Sequence, residues 1–96
     1  MGYSIKGVRD NFTNSPDNTN GPTAYVLLNC DSGSENDIIK KIELIPEVEE
    51  VHRIFGAYDV IVKLQSLDMD KLREIITWNI GKIDKIRSIS TLIVNK

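Results

Sequence analysis

The strongest constraint on the fold is a glycine that lies between two runs containing several β-branched residues. The run before it covers residues 48–54, and the run after it covers residues 60–64. β-Branched side chains favour an extended backbone, because they pack well on a pleated surface and fit poorly in a helix. Gly56 can adopt a positive φ, which allows the chain to reverse. The stretch therefore predicts a β-hairpin with Tyr58 and Asp59 at the start of its second strand.

Before the hairpin, the sequence predicts one strand and one helix. Apart from Asn29 near its end, the run 24–30 is apolar on both alternating faces, a pattern typical of a strand that is covered on both sides. Ser34 is expected to cap the helix with its hydroxyl, and Pro46 should end it. The apolar stripe of this helix consists of Ile38, Ile42 and Ile45.

After the hairpin, the pattern predicts a second helix and a last strand. Asp68 is expected to cap this helix, and Gly81 should weaken its last turn. Its apolar stripe consists of Leu72, Ile75, Ile76, Ile80 and Ile83. Residues 86–94 are rich in β-branched side chains and predict a final strand.

The predicted order is βαββαβ, which indicates an α+β, ferredoxin-like fold. Two short right-handed crossovers around a hairpin give a four-stranded antiparallel sheet with both helices on one face. Both faces of the sheet carry apolar side chains, since Val26, Leu28 and Val62 alternate with Tyr25, Leu27 and Ile61, so whichever face the helices leave open is too apolar for a wet surface. Such a patch usually marks an interface, so we expect two sheets to pack across a two-fold axis in a dimeric, α/β-barrel-like arrangement.

Composition limits the domain count and the classes of partner. A chain of 96 residues forms one domain, expected here at residues 23–96. Residues 1–22, rich in Asn, Gly, Ser, Thr and Pro, are expected to be an N-terminal tail. The net charge is −2, and Lys40 and Lys41 are the only adjacent basic pair. No basic stripe or recognition helix is present, so the chain should not bind DNA sequence-specifically by itself.

Few side chains suit metal binding or catalysis. Cys30 and His52 are the only cysteine and histidine, which leaves no zinc-type set, no disulfide and no expected cofactor. Two alternatives stay open: a small dimeric ferredoxin-like enzyme, and an oligomer whose subunits each contribute His52 to a metal. No nucleophile, base and orienting group are clustered in sequence, so we expect no enzyme. The chain has neither a membrane-length apolar run nor a signal-peptide pattern, which predicts a cytoplasmic protein.

Four short motifs occur in an order that resembles one known family. They are Ala24-Tyr25-Val26-Leu27, Ile45-Pro46-Glu47-Val48, Gly56-Ala57-Tyr58-Asp59 and Thr91-Leu92-Ile93-Val94. Together they resemble the effector-binding domain of the Lrp/AsnC (feast/famine) transcription regulators, also called the regulation of amino-acid metabolism domain. The resemblance covers residues 23–95. It implies sheet-to-sheet dimers that assemble further, often four dimers in a ring (an octamer), and amino-acid effectors bound between dimers beside the Gly-x-Tyr-Asp loop.

The resemblance also implies a ligand-binding site. Asp59 would accept a hydrogen bond from the ligand ammonium, and Gly56 and Ala57 would offer backbone groups. The remaining lining residues would be Tyr58, Ile89 and Thr91. The family has a helix-turn-helix that residues 1–22 are too short to form, which implies a stand-alone sensing and oligomerisation module acting with itself or with full-length Lrp/AsnC regulators.

Two departures from the family pattern bear on this site. The family tends to have a second threonine where Ile89 stands and a small polar residue where Phe55 stands. Both changes remove hydrogen-bonding groups, so the expected ligand is more apolar or differs from a free amino acid. A pocket closed by these changes, with the loop serving only assembly, is the alternative.

Overall fold

A computed structural model describes residues 21–94 and contains four strands and two helices in the predicted order. The elements are β1 (Thr23–Cys30), α1 (Glu35–Glu43), β2 (Val48–Arg53), β3 (Val60–Gln65), α2 (Met69–Glu74) and β4 (Ile86–Val94). A π-helical segment, Ile75–Ile80, continues α2 directly. The strands form one antiparallel sheet in the order β2-β3-β1-β4. The ferredoxin-like prediction is therefore confirmed.

One face of the sheet and both helices enclose the core. Alternate residues of the two central strands are buried, and both predicted helical stripes meet them. The core consists of Ala24, Val26, Leu28, Cys30, Ile38, Ile42, Ile45, Val60, Val62, Leu64, Leu72, Ile75, Ile76 and Ile80. Full burial of an aliphatic side chain stabilises the fold by about 1.5–3 kcal/mol, so these core side chains contribute strongly to the stability of the protomer.

The other face of the sheet, called the open face below, is not covered by the helices. Tyr25 and Leu27 of β1 lie there and are half-buried, so the prediction that β1 is covered on both sides is wrong for a single protomer. Residues paired across an antiparallel ladder share a face. The register pairs Leu27 with Ile61 and Tyr25 with Leu92, which places all four side chains on the open face.

The two helices begin in different ways. Asp68 caps α2 as predicted, because its Oδ1 accepts a hydrogen bond from the Lys71 backbone N–H at 2.8 Å. Ser34 stands at the N-cap of α1, but its side chain makes no cap bond. Its hydroxyl instead donates to the Asp31 carbonyl oxygen at 2.6 Å, so Ser34 stabilises the preceding turn. The carboxylate of Glu35 accepts from the Gly33 backbone N–H at 3.1 Å.

The π-helical segment is a feature that periodicity does not predict. At its end the Gly81 N–H donates to the Ile76 carbonyl oxygen, five residues earlier, at 2.8 Å. A Cβ at position 81 would lie 2.6 Å from the Thr77 carbonyl oxygen, so the wide turn requires glycine there. Gly81 thus closes the segment rather than merely weakening it. None of the helices between residues 21 and 94 is long and apolar enough to cross a membrane.

Candidate functional site

The predicted hairpin loop projects from one end of the sheet. Gly56 has a φ of 133°, the left-handed region that glycine tolerates, as predicted. The Ile54 N–H donates to the Asp59 carbonyl oxygen at 2.9 Å and closes the loop. Gly56 and Ala57 are exposed at the tip, and Tyr58 and Asp59 are half-buried at its base.

Asp59 joins this loop to the end of β1. Its backbone N–H donates to the Leu28 carbonyl oxygen at 2.8 Å, and its Oδ2 accepts from the Cys30 backbone N–H at 2.9 Å. The carboxylate therefore has a structural role, and a ligand could use only the acceptor capacity that this role leaves. Among residues 21–94 no hydrogen bond reaches the second oxygen, Oδ1. Asp59 is thus held in place by one oxygen and still has the other as an acceptor.

Two further carboxylates lie near the same end of β1. Burial, and then the negative charges of Asp59, Glu35 and Asp31 in that order, raise the pKa of the Cys30 thiol above its usual value. The same negative potential that disfavours a thiolate favours a cation. Two exposed arginines pair with two of these acids, since Arg53 lies 3.8 Å from Glu35 and Arg87 lies 3.9 Å from Asp31.

Ile89 and Thr91 lie one strand away from the loop. Ile89 pairs with Leu28, whose carbonyl accepts from Asp59, and Thr91 pairs with Val26, two residues deeper in the sheet. Adjacent strands are about 4.8 Å apart, so Ile89 lies about 10 Å from β3 across β1. Both side chains share the helix-covered face, but they are exposed because the helices do not extend over this part of β4. The fold brings Asp59 and Ile89 to one end of the sheet, with Thr91 further in.

Phe55 is the most exposed aromatic side chain among residues 21–94. It is 88% exposed at the loop tip, and the guanidinium carbon of Arg53 lies 5.8 Å from its ring centroid. An aromatic ring left in water at a loop tip suits contact with another molecule. Within one protomer, however, it covers neither Ile89 nor any other predicted site residue.

A cleft lies at the opposite end of the sheet. Its volume is about 530 Å³, and it is lined by Gly21, Pro46, Glu47, Glu49, Gln65, Ser66, Leu67, Asp68 and Lys71. None of the six predicted site residues borders it. No group of three or more His, Cys, Asp or Glu side chains between residues 21 and 94 could hold a metal ion. Four of the six predicted site residues are exposed and two are half-buried, so the predicted site is an open surface in a single protomer.

Sequence reasoning missed a charged cluster on the open face. His52 Nε2 lies 3.0 Å from Glu50 Oε1, and Lys63 pairs with Glu50 across the β2–β3 ladder. Glu50 and His52 are two apart in a strand, which places them on one face. The register that brings Lys63 beside them is a long-range property, so no local signal identifies the cluster.

The family model for the Lrp/AsnC ligand binding domain matches residues 23–96. The solved structure of FFRP-DM1 is 34% identical, covers 76% of this chain and 97% of that chain, and has a TM-score of 0.73. The HTH-type transcriptional regulator FL11 of Pyrococcus furiosus is 27% identical over 73 residues.

The matches to longer proteins are partial. The alignment with FL11 covers 76% of this chain, which spans about half of the regulator's length (48%). Homocitrate synthase of Sulfurisphaera tokodaii is 32% identical over 74 residues, but these make up only 16% of that enzyme. The family match covers nearly all of the described fold. This chain belongs to the Lrp/AsnC ligand-binding domain family.

Proposed function

We propose that this chain is a small-molecule sensing and oligomerisation domain of the Lrp/AsnC type. It binds an amino acid or a related amine-bearing metabolite beside Gly56, Ala57, Tyr58 and Asp59. It acts in the cytoplasm, through assembly with itself or with full-length regulators of the family. The observation that carries the sensing proposal is the Asp59 carboxylate: its Oδ2 accepts from the Cys30 N–H at 2.9 Å, and its Oδ1 accepts no hydrogen bond from residues 21–94 and is left for a ligand.

The electrostatics of the loop base support a ligand ammonium there. Asp31, Glu35 and Asp59 all raise the pKa of the Cys30 thiol, which reports a negative potential at this end of β1. An ammonium that pairs with Asp59 would gain a charge-assisted contact of about 1.5–3 kcal/mol. Ile89 and Thr91 are exposed one strand away and would line an apolar side of the site once a second subunit encloses it.

The open face supports the assembly proposal. Tyr25, Leu27 and Ile61 form a half-buried apolar row, and Leu92 beside them is 57% exposed. A small domain that leaves such a surface in water gains stability by pairing it with another sheet. We therefore propose a sheet-packed homodimer that associates further into an even-numbered oligomer. We propose no catalytic activity and no sequence-specific DNA binding by this chain alone.

A thermal-shift screen of the twenty amino acids and common nitrogen metabolites tests the sensing proposal. A ligand that binds the folded state raises the melting temperature by mass action. Asp59→Asn keeps an oxygen that can accept from the Cys30 N–H but removes the charge, so affinity should fall about tenfold or more. The matched control is Asp70→Asn, an exposed acid in the first turn of α2.

The outcomes separate three cases. A ligand that stabilises the wild type and Asp70→Asn, but not Asp59→Asn, supports the site at the loop. A ligand that stabilises all three proteins equally binds elsewhere. If no compound stabilises the wild type at millimolar concentration, the loop serves assembly and the sensing proposal is wrong.

A further inference from the structure

The cleft at the end of the sheet opposite the hairpin loop presents apolar side chains to solvent. Leu67 on its wall is 84% exposed, and Pro46 beside the cleft is exposed as well. Its volume of about 530 Å³ lies within the range of pockets that hold ligands, about 300–1,000 Å³. None of the predicted ligand-site residues borders it, so the cleft is a separate surface whose walls suit a partly apolar occupant.

Acids outnumber bases on the cleft walls. Glu47, Glu49 and Asp68 border the cleft, and Lys71 is the only base among its lining residues. Glu49 pairs with Lys63 at 3.4 Å, and the Asp68 carboxylate accepts from the Lys71 backbone N–H. The half-buried Glu47 carboxylate makes no hydrogen bond or ion pair within residues 21–94. A cation that enters the cleft would therefore find Glu47 as an unused acceptor.

The first described residue of the chain is itself part of the cleft wall. Gly21 is buried, and a Cβ there would overlap the Ser66 carbonyl oxygen, so the backbone runs directly against this wall. The Gly21 carbonyl accepts from Gln65 Nε2, and the Pro22 carbonyl accepts from the Ser66 N–H, each at 3.4 Å. Consecutive Cα atoms are about 3.8 Å apart. Residues 1–20, which lie outside the described residues, are therefore tethered at the cleft.

One stretch of this tethered segment has the chemistry that the cleft suits. Ile5-Lys6-Gly7-Val8-Arg9 combines two aliphatic side chains with the only lysine and arginine among residues 1–20. Residues 10–20 connect the stretch to Gly21 and can span about 36 Å when fully extended. This length allows the chain to turn back into the cleft from which it starts.

We propose that residues 5–9 bind in the cleft of their own chain, with their cations paired to Glu47 and their aliphatic side chains packed on Leu67. The tether favours this occupant over a free molecule, since an attached segment has an effective concentration on the order of millimolar. A contact of weak intrinsic affinity is then sufficient. The contact uses neither the hairpin loop nor the open face, so it does not depend on the proposed ligand site or dimer.

Limited trypsin digestion of the full chain tests this contact, because trypsin cleaves after Lys6 and Arg9. Cleavage requires the segment to leave the cleft, so its rate reports the fraction of unbound segment. Mass spectrometry measures the initial rates of cleavage at the two sites. We expect these rates to be about tenfold lower than in a free synthetic peptide of residues 1–20.

Two variants with matched controls locate the binding surface. Glu47→Gln removes the acceptor charge and Leu67→Ser removes the apolar wall, and each should raise the cleavage rates about threefold or more. Glu43→Gln and Leu44→Ser, exposed residues outside the cleft, should leave the rates unchanged. None of the four substitutions creates a trypsin site or alters the core, and circular dichroism checks that every variant is folded.

Three results would overturn the proposal. Wild-type cleavage as fast as that of the free peptide would mean that the segment does not bind. Protection that neither Glu47→Gln nor Leu67→Ser reduces would place the segment on another surface. Protection that weakens when the protein is diluted would assign the segment to the cleft of a second copy. Protection reduced in both cleft variants and kept in both controls supports the proposal.

Discussion

The two faces of the sheet use the same strands for different purposes. On the helix-covered face, Val26, Leu28 and Val62 are completely buried within one protomer. On the open face, Leu27 and Ile61, their immediate neighbours in sequence, are only half-buried. The first face is complete in a single chain, whereas the second is apolar yet still partly wet. The difference implies that substitutions at adjacent positions of the same strand can alter folding and association separately.

The largest effect should come from placing a charge on the helix-covered face. Val62 is fully buried in the core, and Val62→Asp would put a carboxylate there without a partner. We expect the free energy of unfolding to fall by about 4 kcal/mol or more. Chemical denaturation followed by circular dichroism measures this change. A folded protein of near wild-type stability would contradict the assignment of Val62 to the core.

The same change one position earlier should separate association from folding. Ile61 lies on the open face beside Leu27 and is half-buried. Ile61→Asp should give a folded monomer, since the new carboxylate stays hydrated in one protomer but would be desolvated between two sheets. Analytical ultracentrifugation of the variant and the wild type measures the loss. If Ile61→Asp remains as oligomeric as the wild type, the open face is not the interface.

The sequence predicts the core better than it predicts the surfaces. The element order, the positive φ of Gly56, the two apolar stripes and the Asp68 cap follow from period, turn chemistry and capping, which are local. These local rules hold because each helix must direct one stripe toward the sheet. Which face of β1 is covered did not follow, because its residues are apolar on both sides.

Features that depend on register or on competing bonds could not be derived from local sequence. The bond from the Cys30 N–H to Asp59 joins residues 29 apart, and Glu50 meets Lys63 only through the ladder between β2 and β3. The Ser34 hydroxyl can bond either to the helix N-terminus or to the preceding turn, and it donates to the Asp31 carbonyl oxygen of the turn. The π-helical segment depends on Gly81 approaching the Thr77 carbonyl, which apolar periodicity does not report. The sequence predicts six residues of a ligand site, and in a single protomer these residues do not form an enclosed pocket.

The smallest predicted effect concerns the N-cap of α2, the helix that packs on the covered face of the sheet. Asp68 caps α2 through the Lys71 N–H at 2.8 Å, and α2 packs on the covered face through Leu72. Asp68→Ala should lower the free energy of unfolding by about 1 kcal/mol, the usual value of a lost N-cap. Asp70→Ala, in the same first turn, is the control for charge without a cap bond, and its effect should be smaller. Neither variant should change the dissociation constant of the dimer, because neither side chain lies on the open face. Equilibrium denaturation and sedimentation on the same samples measure both quantities, and weaker association in Asp68→Ala alone would mean that the helical layer also takes part in assembly.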